Sequence, residues 1–185
     1  MIPTEDQAKK LWDKYQLPER KRRHVGLVAK VAKYLATQCQ MLNDECQINI
    51  RLLNAAALLH DIDKNVEKLP GEKHPDAGVR ILREEGMGEV AALVKTHPLH
   101  AILDPAIAPK TIEQKLLFFS DKMVKQEVIG VDARFKLWND EHLPKTQQNI
   151  LDAAYPKVKE LEKEVFDLIA RDPKRILEEL KGQYS

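Results

Sequence analysis

Two histidines and two aspartates occupy positions where a helical sequence would be expected to carry apolar side chains. His24 lies on an apolar helical stripe, His60 and Asp61 follow the apolar run "LLNAAALL", and Asp121 continues an apolar row in "LLFFSDKMV". An ionised carboxylate is buried at acceptable cost only when it is paired or bound to a metal. Imidazole and carboxylate groups that face one another across a helical bundle would form a site for a divalent metal such as Zn, Mn, Fe, Co or Ni.

The segments that carry these residues have the 3.6-residue periodicity of amphipathic helices, and none alternates in the manner of a strand. The sequence therefore predicts an all-α helical bundle. We expect residues 1–143 to form the metal-binding helical core and residues 144–185 to form a C-terminal extension of amphipathic helices that packs on it. Thr4 is the predicted N-cap of the first helix. The predicted helical segments are TEDQAKKLWDKY, PERKRRHVGLVAKVAKYLATQC, DECQINIRLLNAAALLHDI, HPDAGVRILREEG, GEVAALVKTH, TIEQKLLFFSDKMVKQEV, GVDARFKLWNDEHL, KTQQNILDAAYPKVKELEKEVFDLIARD and PKRILEELKG.

The composition argues against several classes of protein. The 185 residues include 30 basic and 29 acidic ones, and the formal net charge of +1 gives no electrostatic reason to expect a nucleic-acid or membrane partner. We expect no signal peptide, because the N-terminus is charged throughout, and no apolar stretch approaches the ~20 residues that span a bilayer. Cys39 and Cys46 match no zinc-binding spacing, so we expect reduced thiols and a cytoplasmic protein.

Several stretches resemble the HD superfamily of metal-dependent phosphohydrolases, in particular its small single-domain HDIG type. "LLNAAALLHDIDK" closely resembles the family's "LLHDIGK" form, and "HPDAGVRILREEG" is similar to its "HP-x-x-G-x-x-I-L" segment. "LVKTH" and the later "TIEQKLLFFSDKM" are similar to the family's later histidine and its final "A-D-K" helix. The resemblance covers roughly residues 20 to 135 and implies an HD-domain fold.

The resemblance also implies a set of metal ligands. The expected ligands of the first ion are His24, His60, Asp61 and Asp121. In subfamilies that bind two ions, histidines of the middle segments bind the second ion and Asp61 bridges the pair, and the matching residues here are His74 and His97. Each of these two histidines could instead cap a helix end, so the sequence leaves open one ion or two.

The expected reaction is hydrolysis by a metal-activated water, with Asp61 and Lys64 as catalytic residues. Lys64 could meet a phosphate oxygen or orient Asp61, and a solvated lysine at a helix end is the alternative. The sequence departs from the family at Asp63, where the family has glycine. Asp63 could form a hydrogen bond to a ligand histidine or simply lie at the surface.

Three further residues are candidates for substrate binding. Arg20 and Lys21 precede His24 by three to four residues, so they share its helix face and could reach a substrate phosphate. His100 could line the pocket or replace His97 as a ligand.

These features predict a metal-dependent phosphohydrolase acting on a nucleotide or a related phosphate ester or anhydride. The expected cofactor is a divalent transition metal (Fe, Mn, Co, Ni or Zn), as one ion or two, and the expected partner is a small phosphorylated molecule. A homodimer is a further possibility. Two alternatives remain open at this stage: a di-iron oxygenase built on the HD fold, and a non-catalytic HD module that binds a nucleotide.

Overall fold

Helices make up the regular structure of residues 1–43 and 46–184, which are the residues that the computed structural model describes. An isolated bridge joins Val124 and Val128, and no strand is formed in these two ranges, which confirms the all-α prediction. The helices are α1 (Glu5–Lys14), α2 (Glu19–Leu42), α3 (Ile50–Leu59), α4 (Asp76–Glu84), α5 (Gly88–Val94), a 3₁₀ helix (Leu99–Leu103), α6 (Ile112–Met123), α7 (Val131–Asp140), α8 (Lys145–Ile169) and α9 (Pro173–Tyr184).

Side-chain caps fix where several of these helices begin. Thr4 caps α1 as predicted, and Thr111 caps α6, each within a capping box completed by a glutamine three residues later. α3 begins later than predicted, because the Asn49 side chain accepts the backbone N–H of Leu52 and so starts the helix at Ile50. Part of the earlier predicted start, residues 44–45, lies outside the described residues.

The helix α3 is the centre of the bundle, since it packs against α1, α2, α5 and α6. Its last turns are apolar on every side, and the residues from Ala55 to Leu59 are all buried. The side chains of alanine let neighbouring helices approach closely. α3 is therefore a rigid, fully surrounded element, and it ends directly at His60.

The segment after α6 differs from the prediction. "TIEQKLLFFSDKMVKQEV" was expected to be helical throughout, but α6 ends at Met123 and Val124 has extended backbone angles. The chain then turns back, and the backbone N–H groups of Ile129 and Gly130 both donate to the Met123 carbonyl. Gly130 enters α7 at a φ of +85°, which a glycine adopts at little cost.

The prediction of two reduced thiols was wrong, because Cys39 and Cys46 form a disulfide. Cys39 lies in the last turn of α2, and the chain folds back after the helix so that the two Cα atoms are 6.2 Å apart. That separation lies within the range a disulfide spans. The bond closes the connection from α2 towards α3.

The C-terminal helices pack on the rest of the bundle. α8 lies against the 3₁₀ helix and against α2, α6 and α7, and Phe166 meets the fully buried Phe119 edge to face at 5.6 Å between ring centroids. α9 is tied to α2, because the Tyr34 hydroxyl donates to Glu179 at 2.5 Å. Among the described residues, no helix combines the length and the apolar character needed to cross a bilayer.

Candidate metal centre

The ends of several helices bring the six predicted ligands to one place. α3 ends at His60, and Asp61 follows directly, so the apolar helix delivers both side chains to the same point. The other ligands come from separate parts of the chain: His24 from α2, His74 from the segment before α4, His97 from the segment after α5, and Asp121 from α6. His24, His60, Asp61 and His97 are buried.

One group of potential ligands consists of His24, His60 and Asp121, whose ligating atoms all lie within 4.8 Å of one another. His24 Nε2 is 3.0 Å from Asp121 Oδ1, and His60 Nε2 is 3.5 Å from the same oxygen. Two imidazole nitrogens and a carboxylate oxygen therefore converge on one small volume.

A second group shares His60 with the first and adds Asp61 and His97, again with all ligating atoms within 4.8 Å. His74 lies beside it, with Nε2 3.0 Å from His97 Nε2 and 3.6 Å from Asp61 Oδ1. The other oxygen of Asp61, Oδ2, is 3.9 Å from His60 Nε2. The two oxygens of Asp61 thus face different histidines.

Backbone carbonyls hold three of the histidines in one tautomer. A carbonyl oxygen can only accept, so each of these rings donates from Nδ1 and leaves the lone pair of a neutral ring on Nε2. The three bonds, from donor to acceptor, are His24–Lys125 (3.0 Å), His60–Ala57 (2.8 Å) and His97–Val94 (2.6 Å). Their Nε2 atoms are the ones that point into the two groups.

A carboxylate plays the same part for the fourth histidine. His74 Nδ1 lies 2.9 Å from Asp63 Oδ1, and Asp63 is 1% exposed. Asp63 is therefore no surface residue, and its side chain forms the hydrogen bond to a candidate ligand that the sequence left as one alternative. This pairing is the arrangement in which a carboxylate fixes the ring of a metal-binding histidine.

Lysines neutralise the two carboxylates of the cluster. Lys21 Nζ is 2.7 Å from Asp61 Oδ2 and Lys64 Nζ is 3.3 Å from Asp61 Oδ1, so both contact the residue that follows His60. Lys122 was not predicted to take part. Its Nζ is buried and donates to Asp121 Oδ2 at 2.6 Å and to the backbone carbonyl of His97 at 2.7 Å.

The signal for Lys122 was present in the sequence. α6 is apolar around most of its circumference near this point, and the residues from Leu116 to Ser120 are buried together with Met123. A lysine within such a run has no solvent-facing side available. The ammonium of Lys122 is instead held between two elements of the centre.

The charges of the cluster keep Asp121 ionised. Burial would raise the pKa of its carboxyl, but the neighbouring groups hold that pKa well below its usual value. These groups, in order of their effect, are Lys122, His24 and His60. For Lys122 itself burial is the largest influence, and it lowers the pKa of the ammonium despite the nearby carboxylate.

The second group has the same electrostatic character. Burial opposes the ionisation of Asp61, but neighbouring groups, in order His60, Lys64 and Lys21, lower its pKa far below the usual range. Burial and the nearby His60 lower the pKa of His97, which keeps that ring neutral. Burial is the largest influence on His60 and acts to lower its pKa, but Asp61, Asp121 and the Ala57 carbonyl together outweigh burial, and the pKa is raised. The field that favours a proton on His60 Nε2 equally favours a metal cation.

Two observations indicate that these residues fit a divalent ion. His60 Nε2 is buried and has no hydrogen-bond partner among the described residues. The Nε2 atoms of His74 and His97, both acceptors, face each other across 3.0 Å. Two acceptor nitrogens at this distance repel each other unless a proton or a metal ion lies beside them. Imidazole with carboxylate is a donor set that suits Zn, Mn, Fe, Co or Ni.

Of the three residues predicted to bind substrate, only Lys21 contacts a candidate ligand within the described residues, and the predicted catalytic residue Lys64 does so as well. Lys21 and Lys64 contact Asp61, as described above. Arg20 lies at the exposed start of α2 and forms no ion pair with the described residues. His100 is on the exposed side of the 3₁₀ helix, where burial and then the nearby His74 lower its pKa.

The sequence matches the family described as HD domain over residues 23–125. The chain belongs to the HD domain family. HD domains bind divalent metals, and the family consists in general of metal-dependent phosphohydrolases. The matched residues begin next to His24 and end just after Asp121, so they enclose both candidate ligand groups. Neither the curated proteins nor the solved structures contain a match to the sequence.

Proposed function

We propose that the protein hydrolyses a nucleotide or a related phosphate ester or anhydride, using a metal centre formed by both ligand groups. The observation that carries this proposal is the convergence of four imidazole Nε2 atoms, all left as acceptors by their Nδ1 bonds, on two ionised aspartates. A centre whose two carboxylates are contacted by three lysines suits an anionic substrate. The ligands in this proposal are His24, His60, Asp61, His74, His97 and Asp121.

A bound divalent ion lowers the pKa of water and neutralises charge on a phosphoryl group, which is the chemistry that hydrolysis needs. The chain supplies the rest. Asp61 presents one oxygen to each side of the cluster, and Lys21 and Lys64 hold it ionised and in place. When an anionic substrate arrives, the ammonium of Lys64 is close enough to Asp61 to exchange part of that contact for a phosphate oxygen. Arg20 and His100 lie on the exposed side, where the remainder of the substrate would enter.

The test combines elemental analysis of the purified protein with a phosphatase screen in the presence of Mn, Fe, Co and Ni. We expect stoichiometric metal and hydrolysis of a phosphorylated nucleotide. Asp61→Asn keeps the size of the side chain but removes the charge, so it should lose metal and lower kcat by at least about 100-fold. Circular dichroism should still report a helical protein, because the change alters no apolar packing.

Asp167→Asn is the matched control, because Asp167 is an exposed residue of α8 whose pairing with Lys163 involves no residue of the centre. It should leave metal content and kcat unchanged. Wild-type turnover in Asp61→Asn would refute the proposed centre. Product formation that consumes oxygen with iron would instead assign the protein to oxygenase chemistry, and absence of stoichiometric metal would assign it to non-catalytic binding.

A further inference from the structure

Arg134 on α7 is a basic residue that neither the ligand groups nor the predicted substrate residues include. α7 packs against α6, and Val131 and Phe135 on either side of Arg134 are buried. The guanidinium carbon lies 4.4 Å from the ring centroid of Trp138, one helical turn further along. Stacking on the indole therefore restricts where this side chain can point.

The hydrogen-bonding groups of Arg134 are not used within the described residues. Its Nε is buried and has no acceptor, and no described carboxylate lies within ion-pair distance of the guanidinium. Glu141, the acidic residue at the end of α7, instead lies 3.8 Å from Lys125. An arginine has five N–H donors, and leaving buried donors unpaired is costly.

The start of α7 lies beside the metal centre, because the backbone N–H groups of Ile129 and Gly130 donate to the carbonyl of Met123, two residues after Asp121. Burial lowers the pKa of the guanidinium, and Asp121, Glu141 and Asp61 act against that effect in this order. Two of these three carboxylates belong to the candidate ligand groups.

Arg134 also interacts electrostatically with two other cationic residues. Arg20 opposes its charge, and Arg134 in turn contributes to the lowered pKa of Lys122. The end of α7 is also linked to the centre, because Glu141 lies 3.8 Å from the ammonium of Lys125, whose backbone carbonyl accepts a hydrogen bond from His24 Nδ1.

We propose that Arg134 binds non-reacting oxygens of the substrate's phosphate beside the metal centre. This inference rests on the function proposed above. A guanidinium matches two phosphate oxygens through parallel hydrogen bonds, and its charge is fixed at all relevant pH values. A divalent ion bound at the centre would offset the negative charge of Asp61 and Asp121. The protein would then neutralise less of the positive charge of Arg134, and Arg134 would attract an anion more strongly.

The experiment measures binding of inorganic phosphate and of pyrophosphate to the metal-loaded protein by calorimetry, alongside KM and kcat for any substrate from the screen. Arg134→Met keeps much of the side-chain length without the charge, and it should weaken pyrophosphate binding and raise KM about 10- to 100-fold. Metal content should not change, because Arg134 contacts no candidate ligand. Arg134→Lys keeps the positive charge but cannot donate two parallel hydrogen bonds to one phosphate, so it should weaken pyrophosphate binding about 3- to 10-fold.

Lys136→Met is the matched control, because it removes a positive charge from the same helix at an exposed position, where the only ion pair with a described residue is the one with Asp140. It should leave anion binding unchanged. Equal affinity in the wild type and in Arg134→Met would overturn the inference. Where Arg134→Met does not fold, Arg134→Lys decides, and wild-type affinity and KM in that variant would overturn it equally.

The anion measurement separates this inference from the proposed function. Loss of pyrophosphate binding in Arg134→Met, in a protein that hydrolyses nothing, would support the anion site and refute the hydrolase. Turnover with the same KM in the wild type and in Arg134→Met would support the proposed hydrolase function and refute the anion site.

Discussion

Asp63 occupies the position at which the HDIG pattern has glycine, and the structure accounts for the change. Its φ is not among the positive values of the chain, so the turn there does not require glycine. The side chain is instead used, because it accepts a hydrogen bond from His74 Nδ1. Gly78 on α4 packs beside it, and a Cβ at Gly78 would meet the Asp63 side chain at the ordinary contact distance of 3.6 Å.

The role of Asp63 can be tested by restoring the glycine. Asp63→Gly removes the acceptor that orients His74, so the affinity for the ion beside His74 and His97 should fall about 10- to 100-fold. Asp63→Asn retains an oxygen acceptor and should recover most of that affinity. The measurement is a metal titration by calorimetry. Unchanged affinity in Asp63→Gly would mean that His74 is not a ligand.

At the scale of residues, the sequence predicts those side chains whose type conflicts with their position. His60 and Asp61 were found because polar groups close an apolar helix, and the structure buries both. The sequence around Arg134 shows no such conflict between residue type and position, since an arginine in an amphipathic helix is usually solvated. Its place beside the centre depends on how α7 returns after α6, which periodicity does not encode.

At the scale of elements, the position of His60 depends on what holds the last turn of α3. Trp12 on α1 is 7% exposed, and its Nε1 donates to the backbone carbonyl of Leu58 at 2.8 Å in a buried position. This bond satisfies a carbonyl near the helix end, which has no partner further along the helix. α1 thereby fixes the end of α3 two residues before His60.

Removing this bond should weaken the fold. Trp12→Phe leaves the Leu58 carbonyl buried without its donor, which should lower the free energy of unfolding by about 1–3 kcal/mol. Tyr15→Phe is the control on the same helix, because its bond to Glu85 is only partly buried, and its effect should be smaller. Urea denaturation followed by circular dichroism compares the two. Equal stability of Trp12→Phe and the wild type would show that α1 does not hold α3.

The sequence predicted the existence of the helices better than their ends. Thr4 was identified as a cap because threonine followed by acidic residues is a strong local signal. The start of α3 at Ile50 was missed, since apolar periodicity continues through residues that the Asn49 cap excludes. The end of α6 was missed for a related reason, because Val124 fits a helical pattern but pairs with Val128.

At the scale of the whole molecule, the C-terminal helices contribute no ligand but complete the core. Phe166 on α8 covers Phe119 of α6, whose neighbour Ser120 precedes the ligand Asp121. The buried apolar residues of α8 and α9 include Leu151, Val158, Leu161, Val165, Phe166, Ile169, Ile176 and Leu180. Each contributes about 1.5–3 kcal/mol on burial, against a typical total stability of about 5–15 kcal/mol.

A chain that ends at residue 143 should therefore not fold. We expect this fragment to lack a cooperative thermal unfolding transition. We also expect that it does not bind metal at the stoichiometry of the wild type. The control is the full-length protein cut by a protease at a site introduced next to the exposed His142, which should stay folded because both parts remain packed. A cooperative, metal-binding 1–143 fragment would contradict the prediction and establish that part as an independent domain.

The disulfide between Cys39 and Cys46 also depends on how the helices are arranged in the whole molecule. Seven positions separate Cys39 from Cys46, and their spacing in the sequence gives no information on whether the chain folds back between them. Only the arrangement of α2 relative to the start of α3 brings the two sulfur atoms together. Cysteine spacing predicts metal sites when it matches a known pattern, but it could not predict this bond.

The separation of the ligands along the chain has a thermodynamic consequence. The six candidate ligands come from five stretches that lie far apart in the sequence, so the unfolded chain cannot present them together. An ion that binds only the folded form stabilises it by mass action, by about 2.7 kcal/mol when the free ion is 100-fold above its dissociation constant. The midpoint of thermal unfolding then rises with the logarithm of the ion concentration, and at one fixed concentration it rises more for an ion of higher affinity. Ranking ions by that rise would identify the metal that the centre prefers without any knowledge of the substrate.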